Sequence, residues 1–217
     1  MRKSAIFLLF VAFCLTILGL SAQGGIAVSP QTARPKTEAE GKQKPEDSKQ
    51  RPVAKSKVYL LHSDLLRKDA THPDAQIVTG NVRFRHDSVY MYCDSACYYD
   101  KVSSFEAFGN VKMVQGDTLF LYGDRLYYDG LTQIAEMRCN VRMENRTTTL
   151  LTDSLNYDRV YNLGYFFDGG TLMDEQNVLT SEWGEYSPQT KQSVFNYNVK
   201  LVNPQFTLTS DTLRYNT

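Results

Sequence analysis

The stretch that decides the fold is residues 109–129 (GNVKMVQGDTLFLYGDRLYYD), because its first and last segments recur along the chain. The last segment, DRLYYD at 124–129, returns as DSLNYD at 153–158 and as DTLRYN at 211–216, all at multiples of 29 residues. The first segment, GNVKM, is matched at 80–84, 139–143 and 198–201. Tyrosines keep the same period, at Tyr99, Tyr128, Tyr157, Tyr186 and Tyr215. A fixed period of this length is typical of stacked supersecondary units that share one core.

Side chains alternate between apolar and polar within each unit, which is the period of a β-strand. The apolar positions are predicted to point inward. They are Val82, Phe84, Val111, Met113, Leu126, Tyr128, Val141, Met143, Leu155 and Tyr157. Turn-forming GN, DG and GG pairs separate the strands, and no helical period persists within 58–217. The sequence therefore predicts an all-β domain of about five repeats of 29–31 residues, with two strands per repeat and ten to twelve strands in total.

The acidic residue that opens each DxLxY segment falls, by parity, on the same face as the apolar side chains. Either its carboxylate caps a corner of the chain, or a bulge breaks the alternation there. We favour the corner.

The first 57 residues are predicted to lie outside this domain. Residues 1–22 begin with two basic residues, Arg2 and Lys3, and continue as an apolar run, as in a secretory signal peptide. An uncleaved N-terminal anchor is the alternative. Residues 23–57 are rich in Pro, Lys and Glu and contain no aromatic residue, which predicts a disordered tether. Both readings of the first segment place residues 58–217 outside the cytoplasm.

Charge and composition exclude several classes of function. Residues 58–217 carry 14 basic and 20 acidic side chains, an unsuitable balance for binding nucleic acid. The chain has three histidines and neither a glycine-rich phosphate loop nor a serine elbow, so we predict no catalysis, no cofactor and no metal. Cys93 and Cys97 lie about 13 Å apart on a straight strand, too far for a disulfide. Together with Cys139, they are interpreted as small buried hydrophobes.

The GNV strand, the GDTL step at 116–119 and the DxLxYD strand together resemble the OstA-like (LptA/LptC-type) periplasmic proteins of lipopolysaccharide export, in the branch found in Bacteroidota. The resemblance covers essentially all of 58–217. It implies an open, taco-like β-jellyroll whose apolar groove holds the lipid A part of lipopolysaccharide and passes it toward the outer membrane. It also implies head-to-tail strand addition to other jellyroll domains of the export system or to a second copy. Cys139 departs from the pattern, since it stands where the other copies have Gly.

Two other functions are compatible with a secreted β-repeat domain. A β-helical enzyme acting on polysaccharide would need a local cluster of carboxylates or bases, whereas the acidic residues here repeat evenly. A structural or adhesive surface module would share the repeat and the signal peptide but would hold no lipid, and its interior would be an ordinary dry core. The sequence alone does not separate this structural or adhesive module from a lipid carrier.

Four basic residues repeat on the face opposite the apolar set. They are Arg83, Lys112, Arg142 and Lys200. Copies stacked in register would bring these like charges to about 4.8 Å from one another, which requires counter-charges. These are either lipid phosphates or the acidic series at positions 124, 153, 182 and 211, and we favour the internal pairing.

The two ends of the stack are predicted to bind partners. A sheet that does not close leaves unpaired backbone groups on its first and last strands. Near the start these strands contain Val58 and Leu60, and near the end they contain Phe206 and Leu208. Neither stretch carries a charge or a proline to block strand addition.

Overall fold

The computed structural model describes residues 56–69 and 72–217. The predicted signal peptide at 1–22 and nearly all of the predicted tether at 23–57 lie outside the described residues. Within them, no helix is long and apolar enough to cross a membrane. The all-β prediction is confirmed, since the helical structure in this part of the chain amounts to one 3-10 turn, Asp100–Val102.

Fourteen strands follow one another along the described residues. They are β1 (Tyr59–His62), β2 (Leu65–Asp69), β3 (His72–His86), β4 (Val89–Tyr99), β5 (Ser104–Gln115), β6 (Leu119–Asp129), β7 (Ile134–Asn145), β8 (Thr148–Asp158), β9 (Leu163–Phe166), β10 (Gly170–Asp174), β11 (Asn177–Ser181), β12 (Trp183–Tyr186), β13 (Gln192–Asn203) and β14 (Phe206–Asn216).

All of the strands belong to one antiparallel sheet, in which most strands pair with the next strand along the chain. β3 to β8 follow in order, and β13 and β14 form the last long hairpin. Between them, β9 and β10 together pair with β8, while β11 and β12 together pair with β13. β1 and β2 likewise pair with the two halves of β3. Each such couple is one long strand interrupted at its middle, which explains why fourteen strands occur where the sequence predicts ten to twelve.

A break in register crosses the sheet at the middle of the long strands. In β5, Gly109 and Asn110 are left out of the ladder to β6, and their φ angles are 73° and 45°. The same two-residue bulge occupies the middle of β3, β7 and β13. Because a bulge bends its strand, the aligned bulges fold the whole sheet along one line, which we call the corner.

Acidic side chains on the alternate strands hold these bulges in place. Asp94 Oδ2 accepts a hydrogen bond from Asn110 Nδ2 at 2.8 Å. Asn140 donates from its amide to Asp124 at 2.6 Å and from its backbone N–H to Asp153 at 3.0 Å. Both alternatives considered for the DxLxY acid are therefore realised in part. A bulge in the facing strand breaks the alternation, so the acid is exposed and not on the apolar face, and its carboxylate bonds to the asparagine of that bulge, in one case through the backbone N–H.

The corner divides the sheet into two halves whose apolar faces lie against each other. Phe84, beyond the corner in β3, stacks on Phe105, which precedes the corner in β5, with ring centroids 4.1 Å apart. Met143 of β7 packs against Gly164 of β9, where a Cβ would lie 3.5 Å from the sulfur. The core therefore lies between the two halves of the sheet, as in a jellyroll.

The first tyrosine of the periodic row is Tyr98, not Tyr99. Tyr98 is buried and lies in register with Phe105, which in turn lies in register with Tyr128. In every later unit the inward tyrosine follows the corner acid by four residues, and four residues after Asp94 is Tyr98. The distance from the corner, not the 29-residue count, decides which tyrosine points inward.

The bulges require left-handed backbone, and Tyr197 occupies such a position with φ 66° and a side chain that is 63% exposed. Changing Tyr197→Gly should raise the free energy of unfolding by about 0.5–1 kcal/mol, because the relief of left-handed strain exceeds the entropy that glycine loses. Urea denaturation at an unchanged m-value measures the gain. The matched change is Gly109→Ala, whose Cβ would lie 2.5 Å from the Asp94 carboxylate and should destabilise. A loss of stability in Tyr197→Gly would contradict this account of the corner.

Candidate functional site

The structure brings all ten predicted interior residues into one core. Each is no more than 2% exposed. They are Val82, Phe84, Val111, Met113, Leu126, Tyr128, Val141, Met143, Leu155 and Tyr157. Since their side chains pack directly on one another, a ligand can enter this interior only if the two halves of the sheet move apart.

One row of apolar residues crosses the interior from the first strand of the sheet to the last. Its members lie directly opposite one another on successive strands. They are Leu60, Phe84, Met91, Met113, Leu121, Met143, Leu150, Leu172, Leu179, Leu201 and Leu208. Ten steps between neighbouring strands give the row a length of roughly 48 Å. We call this set the apolar row.

A line of polar contacts closes the side of the interior that lies opposite the corner. There the turns of the two halves meet, and each of the last four periodic tyrosines reaches a polar residue 41 or 42 positions earlier in the chain. We call this line the seam and its contacts rungs. The four rungs are His86–Tyr128, Gln115–Tyr157, Asn145–Tyr186 and Asp174–Tyr215.

The first rung contains a fully buried histidine. The Tyr128 hydroxyl lies 2.7 Å from His86 Nδ1, and the other ring nitrogen lies 3.2 Å from the Ser56 carbonyl oxygen. Arg159 donates to the Tyr128 hydroxyl and lies 3.0 Å from His86 Nδ1. Burial and the Arg159 guanidinium lower the pKa of His86 from its usual 6.5, against the opposing effects of Asp87 and the Ser56 carbonyl. His86 is therefore neutral in the folded protein at pH 7.

A residue of the loop between β8 and β9, Asn162, also takes part in the second rung. Gln115 Nε2 donates to Asn162 Oδ1 at 2.8 Å and lies 3.4 Å from the Tyr157 hydroxyl. That hydroxyl donates to the same Asn162 oxygen at 3.2 Å. Burial raises the pKa of Tyr157 and brings that of Tyr128 to about 12, so both hydroxyls stay protonated and can donate.

The third and fourth rungs are simpler. Asn145 Nδ2 donates to the Tyr186 hydroxyl at 2.9 Å, and the Tyr215 hydroxyl donates to Asp174 at 2.8 Å. Burial and Asp174 together raise the pKa of Tyr215 to about 12. Asn203 occupies the next equivalent place, where its amide donates to Asn177 at 2.7 Å.

The seam is the feature that sequence reasoning missed. Its tyrosines belong to the periodic series, but their partners were not singled out. A signal for them exists, since five polar residues that end a strand recur every 29 or 30 positions, in phase with the tyrosines. They are His86, Gln115, Asn145, Asp174 and Asn203.

The basic residues predicted on the opposite face do lie outside the core, but their expected spacing is wrong. Tyr92 lies between Arg83 and Lys112, and Tyr122 lies between Lys112 and Arg142, so a strand that carries a tyrosine separates each of these basic residues from the next. The Arg142 guanidinium lies 4.3 Å from the Tyr122 ring centroid and forms an ion pair with Glu144. Arg83 and Lys112 are also placed over tyrosine rings. Aromatic faces, rather than the corner acids, are thus the neighbours of three of these four charges.

Of the four predicted edge residues, Val58 is misplaced. It is 1% exposed, precedes β1, and its carbonyl accepts the Tyr98 hydroxyl at 2.8 Å. Leu60 lies on β1, which pairs with β3 on one side. Phe206 and Leu208 are exposed on β14, which pairs with β13 alone among the described strands. The sheet therefore has two edges, with β1 and β2 at one and β14 at the other.

The cysteines differ from one another. Cys93 is buried, and burial raises its pKa to about 12, as expected of a small core residue. Cys97 is half-buried, and Cys139 is exposed in the corner with φ 63°, so the prediction of a buried hydrophobe is wrong for Cys139. Within the described ranges, no group of three or more His, Cys, Asp or Glu side chains is placed to hold a metal ion.

A bent antiparallel sheet, built of repeated hairpins around one apolar interior, defines the class of protein as a β-jellyroll repeat domain. The family described as OstA-like protein matches residues 55–211, so the chain belongs to the OstA-like family. No curated protein matches this chain.

Sixteen chains of solved structures match the chain. Among them is the crystal structure of LptH, the LptA-homologous periplasmic component of the conserved lipopolysaccharide transport device from Pseudomonas aeruginosa. The two are 10% identical, the match covers 67% of this chain and 93% of that one, and the TM-score is 0.30.

Stability should fall as the pH drops below 6.5. The unfolded chain binds a proton at His86 near that pH, whereas the folded protein, with its lowered pKa, does not. The free energy of unfolding should therefore decrease by up to about 1.4 kcal/mol per pH unit between 6.5 and the folded-state pKa.

The change His86→Gln should remove this component of the pH dependence while keeping a side chain that can bond to Tyr128. Denaturant unfolding of both proteins at several pH values measures it, with pH 8 as the reference at which His86 is neutral in both states. Parallel pH curves for parent and variant would contradict the assignment.

Proposed function

We propose that this protein is a non-catalytic periplasmic carrier for lipopolysaccharide, which binds the lipid A acyl chains between the two halves of its sheet and passes them toward the outer membrane. Membership of the OstA-like family supports the transport role. The predicted signal peptide supports the location.

The observation that carries this proposal is the apolar row, because it runs without a polar interruption from β1 to β14. An ordinary domain core is enclosed on all sides, whereas this row ends at Leu60 and Leu208, one on each edge of the sheet. Three of its inner members are methionines, whose flexible and polarisable side chains adapt to varied apolar partners. Such a row provides a continuous apolar path along the stack.

The distribution of charge agrees with a carrier that performs no reaction. The corner acids are each exposed and follow the repeat, and Asp94, Asp124 and Glu182 bond to asparagine amides. Catalytic carboxylates usually act as a close pair whose environments differ, and the even spacing of these acids along the sheet does not provide such a pair.

The proposal includes head-to-tail joining. A jellyroll domain that adds a strand to β14 would extend the sheet, and its own apolar row would continue from Leu208. The partners are therefore other jellyroll domains of the export system or a second copy of this chain. Joining at the edge strands would place the apolar rows of successive domains end to end.

A pair of photocrosslinking residues tests the binding of lipid. A crosslinker at Met113, which points inward, should give an adduct that contains lipopolysaccharide, whereas one at the adjacent outward residue Lys112 should not. Phe84→Asp should abolish the adduct, because a buried unpaired carboxylate is strongly unfavourable in an apolar site, and circular dichroism must show retained β-structure. Equal adducts from both positions would contradict binding in the interior.

A structural or adhesive module without lipid is the second candidate, and the tightly packed, hydrogen-bonded interior favours it. The two candidates differ in cargo. Mass spectrometry of organic extracts from the purified protein should detect multi-acyl lipid if the protein is a carrier. Extracts free of lipid, together with no adduct at Met113, would favour the structural module.

Assembly should depend on the edge strand β14. The purified protein should form head-to-tail oligomers as its concentration rises, measured by light scattering. Leu208→Pro removes a backbone donor, and Leu208→Lys places a charge at the edge, so both should reduce assembly. Thr149→Lys, which places the same charge on the outer face of central β8, is the control. Undiminished assembly of folded Leu208 variants would show that β14 is not the joint.

A further inference from the structure

We propose that the first two rungs of the seam are the binding site for the phosphorylated sugar headgroup of the lipid whose acyl chains occupy the interior. The site consists of Arg159 and Asn162 from the loop between β8 and β9 and of Gln115 at the end of β5. This inference rests on the proposed carrier function and adds to it the position of the headgroup.

Unsatisfied polar atoms are the first observation. Among the described residues, two buried atoms of the seam have no hydrogen-bond partner within the protein, the carbonyl oxygen Oε1 of Gln115 and the Nε of Arg159. A buried polar atom without a partner costs about 1–3 kcal/mol, so such atoms call for an explanation. One is an acceptor and the other is a donor, and a hydroxylated, phosphorylated sugar offers partners for both.

The second observation is that one loop contributes a contact to each of the two rungs. Residues 158–162 place Arg159 at the first rung and Asn162 at the second. Asp158 Oδ1 accepts the backbone N–H groups of Val160 at 2.9 Å and Tyr161 at 3.2 Å, which fixes the loop's conformation. A loop held in this way presents its polar side chains in a set geometry.

The third observation is the position of these groups relative to the interior. The rings of Tyr128 and Tyr157 lie in the core, while their hydroxyls form the seam. Polar groups thus border the interior on its seam side. When the rungs part, acyl chains can lie on the core side, and the headgroup can take over the hydrogen bonds that the tyrosines release.

The charges of the seam differ between its first and fourth rungs, and this difference favours phosphate binding near the first. Arg159 brings a positive charge to the first rung, where His86 is neutral and the Asp87 carboxylate lies 3.8 Å from the His86 ring. The fourth rung instead contains the carboxylate of Asp174. A phosphate is therefore attracted to the seam near Arg159 and repelled near Asp174.

The basic residues of the outer face are the rival phosphate site. Arg83 and Lys112 lie over tyrosine rings, as Arg159 does, and Arg142 is also paired with Glu144. They also lie on the face of the sheet opposite the apolar row. A lipid with its chains in the interior would have to reach around the sheet to contact them.

The test compares two lipids in the full chain. One is bis-phosphorylated hexa-acyl lipid A, and the other is the same lipid with both phosphates removed. The parent should bind the phosphorylated lipid more tightly, and Arg159→Gln should lower the ratio of the two affinities about tenfold or more, the loss expected for one charge-assisted hydrogen bond. The ratio is the readout because a general loss of folding weakens the binding of both lipids to the same extent.

Two further variants keep the test decisive. Gln115→Glu leaves the Arg159 contacts in place but adds a negative charge to the site, so it should lower the ratio as well. Arg159→Lys keeps the charge and should retain most of the ratio. Arg83→Gln and Arg142→Gln, on the outer face, are the controls and should leave the ratio unchanged.

Each outcome decides the matter. An unchanged ratio in both Arg159→Gln and Gln115→Glu would overturn the seam site, and a ratio that falls in the outer-face variants alone would move the phosphates to the outer face. Equal affinity of the parent for both lipids would also overturn the inference while leaving the carrier function standing. Binding of neither lipid by the parent would instead overturn the carrier function.

Discussion

The rest of the structure depends on the bond between an asparagine in each bulge and an acid on the neighbouring strand. Asn110 with Asp94 is the clearest example, and Asn140, with two acids, shows how such bonds link successive strands. Because the bonds align the bulges, every strand bends at the same level and the sheet folds once along its whole length. The apolar row, the tyrosines and the seam acquire their positions from that fold.

Much of the interior could be predicted from the sequence, because period-two alternation specifies which side chains share a face. All ten interior residues followed from it, whereas the corner acids, which the same alternation placed on the apolar face, are exposed because a bulge shifts the alternation at that point. The seam could not be predicted in this way, because its partners are 41 or 42 residues apart and meet only once the sheet has bent. The same holds for Val58, whose inward position depends on a hydroxyl 40 residues away, at Tyr98.

The error over the basic residues has a different cause. Equivalent residues of successive repeats were expected on adjacent strands, but each repeat is a hairpin, so its second strand lies between them. That strand carries Tyr92 or Tyr122 at the matching position, and the charges pack on rings instead of repelling one another. A repeat period reveals which residues are equivalent, but the number of strands per repeat decides which residues touch.

The seam also determines how cooperatively the domain unfolds. Each rung joins strands that are three places apart in the sheet, as His86 of β3 and Tyr128 of β6 illustrate. A repeat array with contacts between adjacent units alone can lose its terminal units one at a time. Here, peeling off the last hairpin also breaks the rung between Tyr215 and Asp174, which belongs to the previous repeat. The repeats, linked in this way, therefore unfold cooperatively, and access to the interior requires partial opening along the seam instead of fraying at an end.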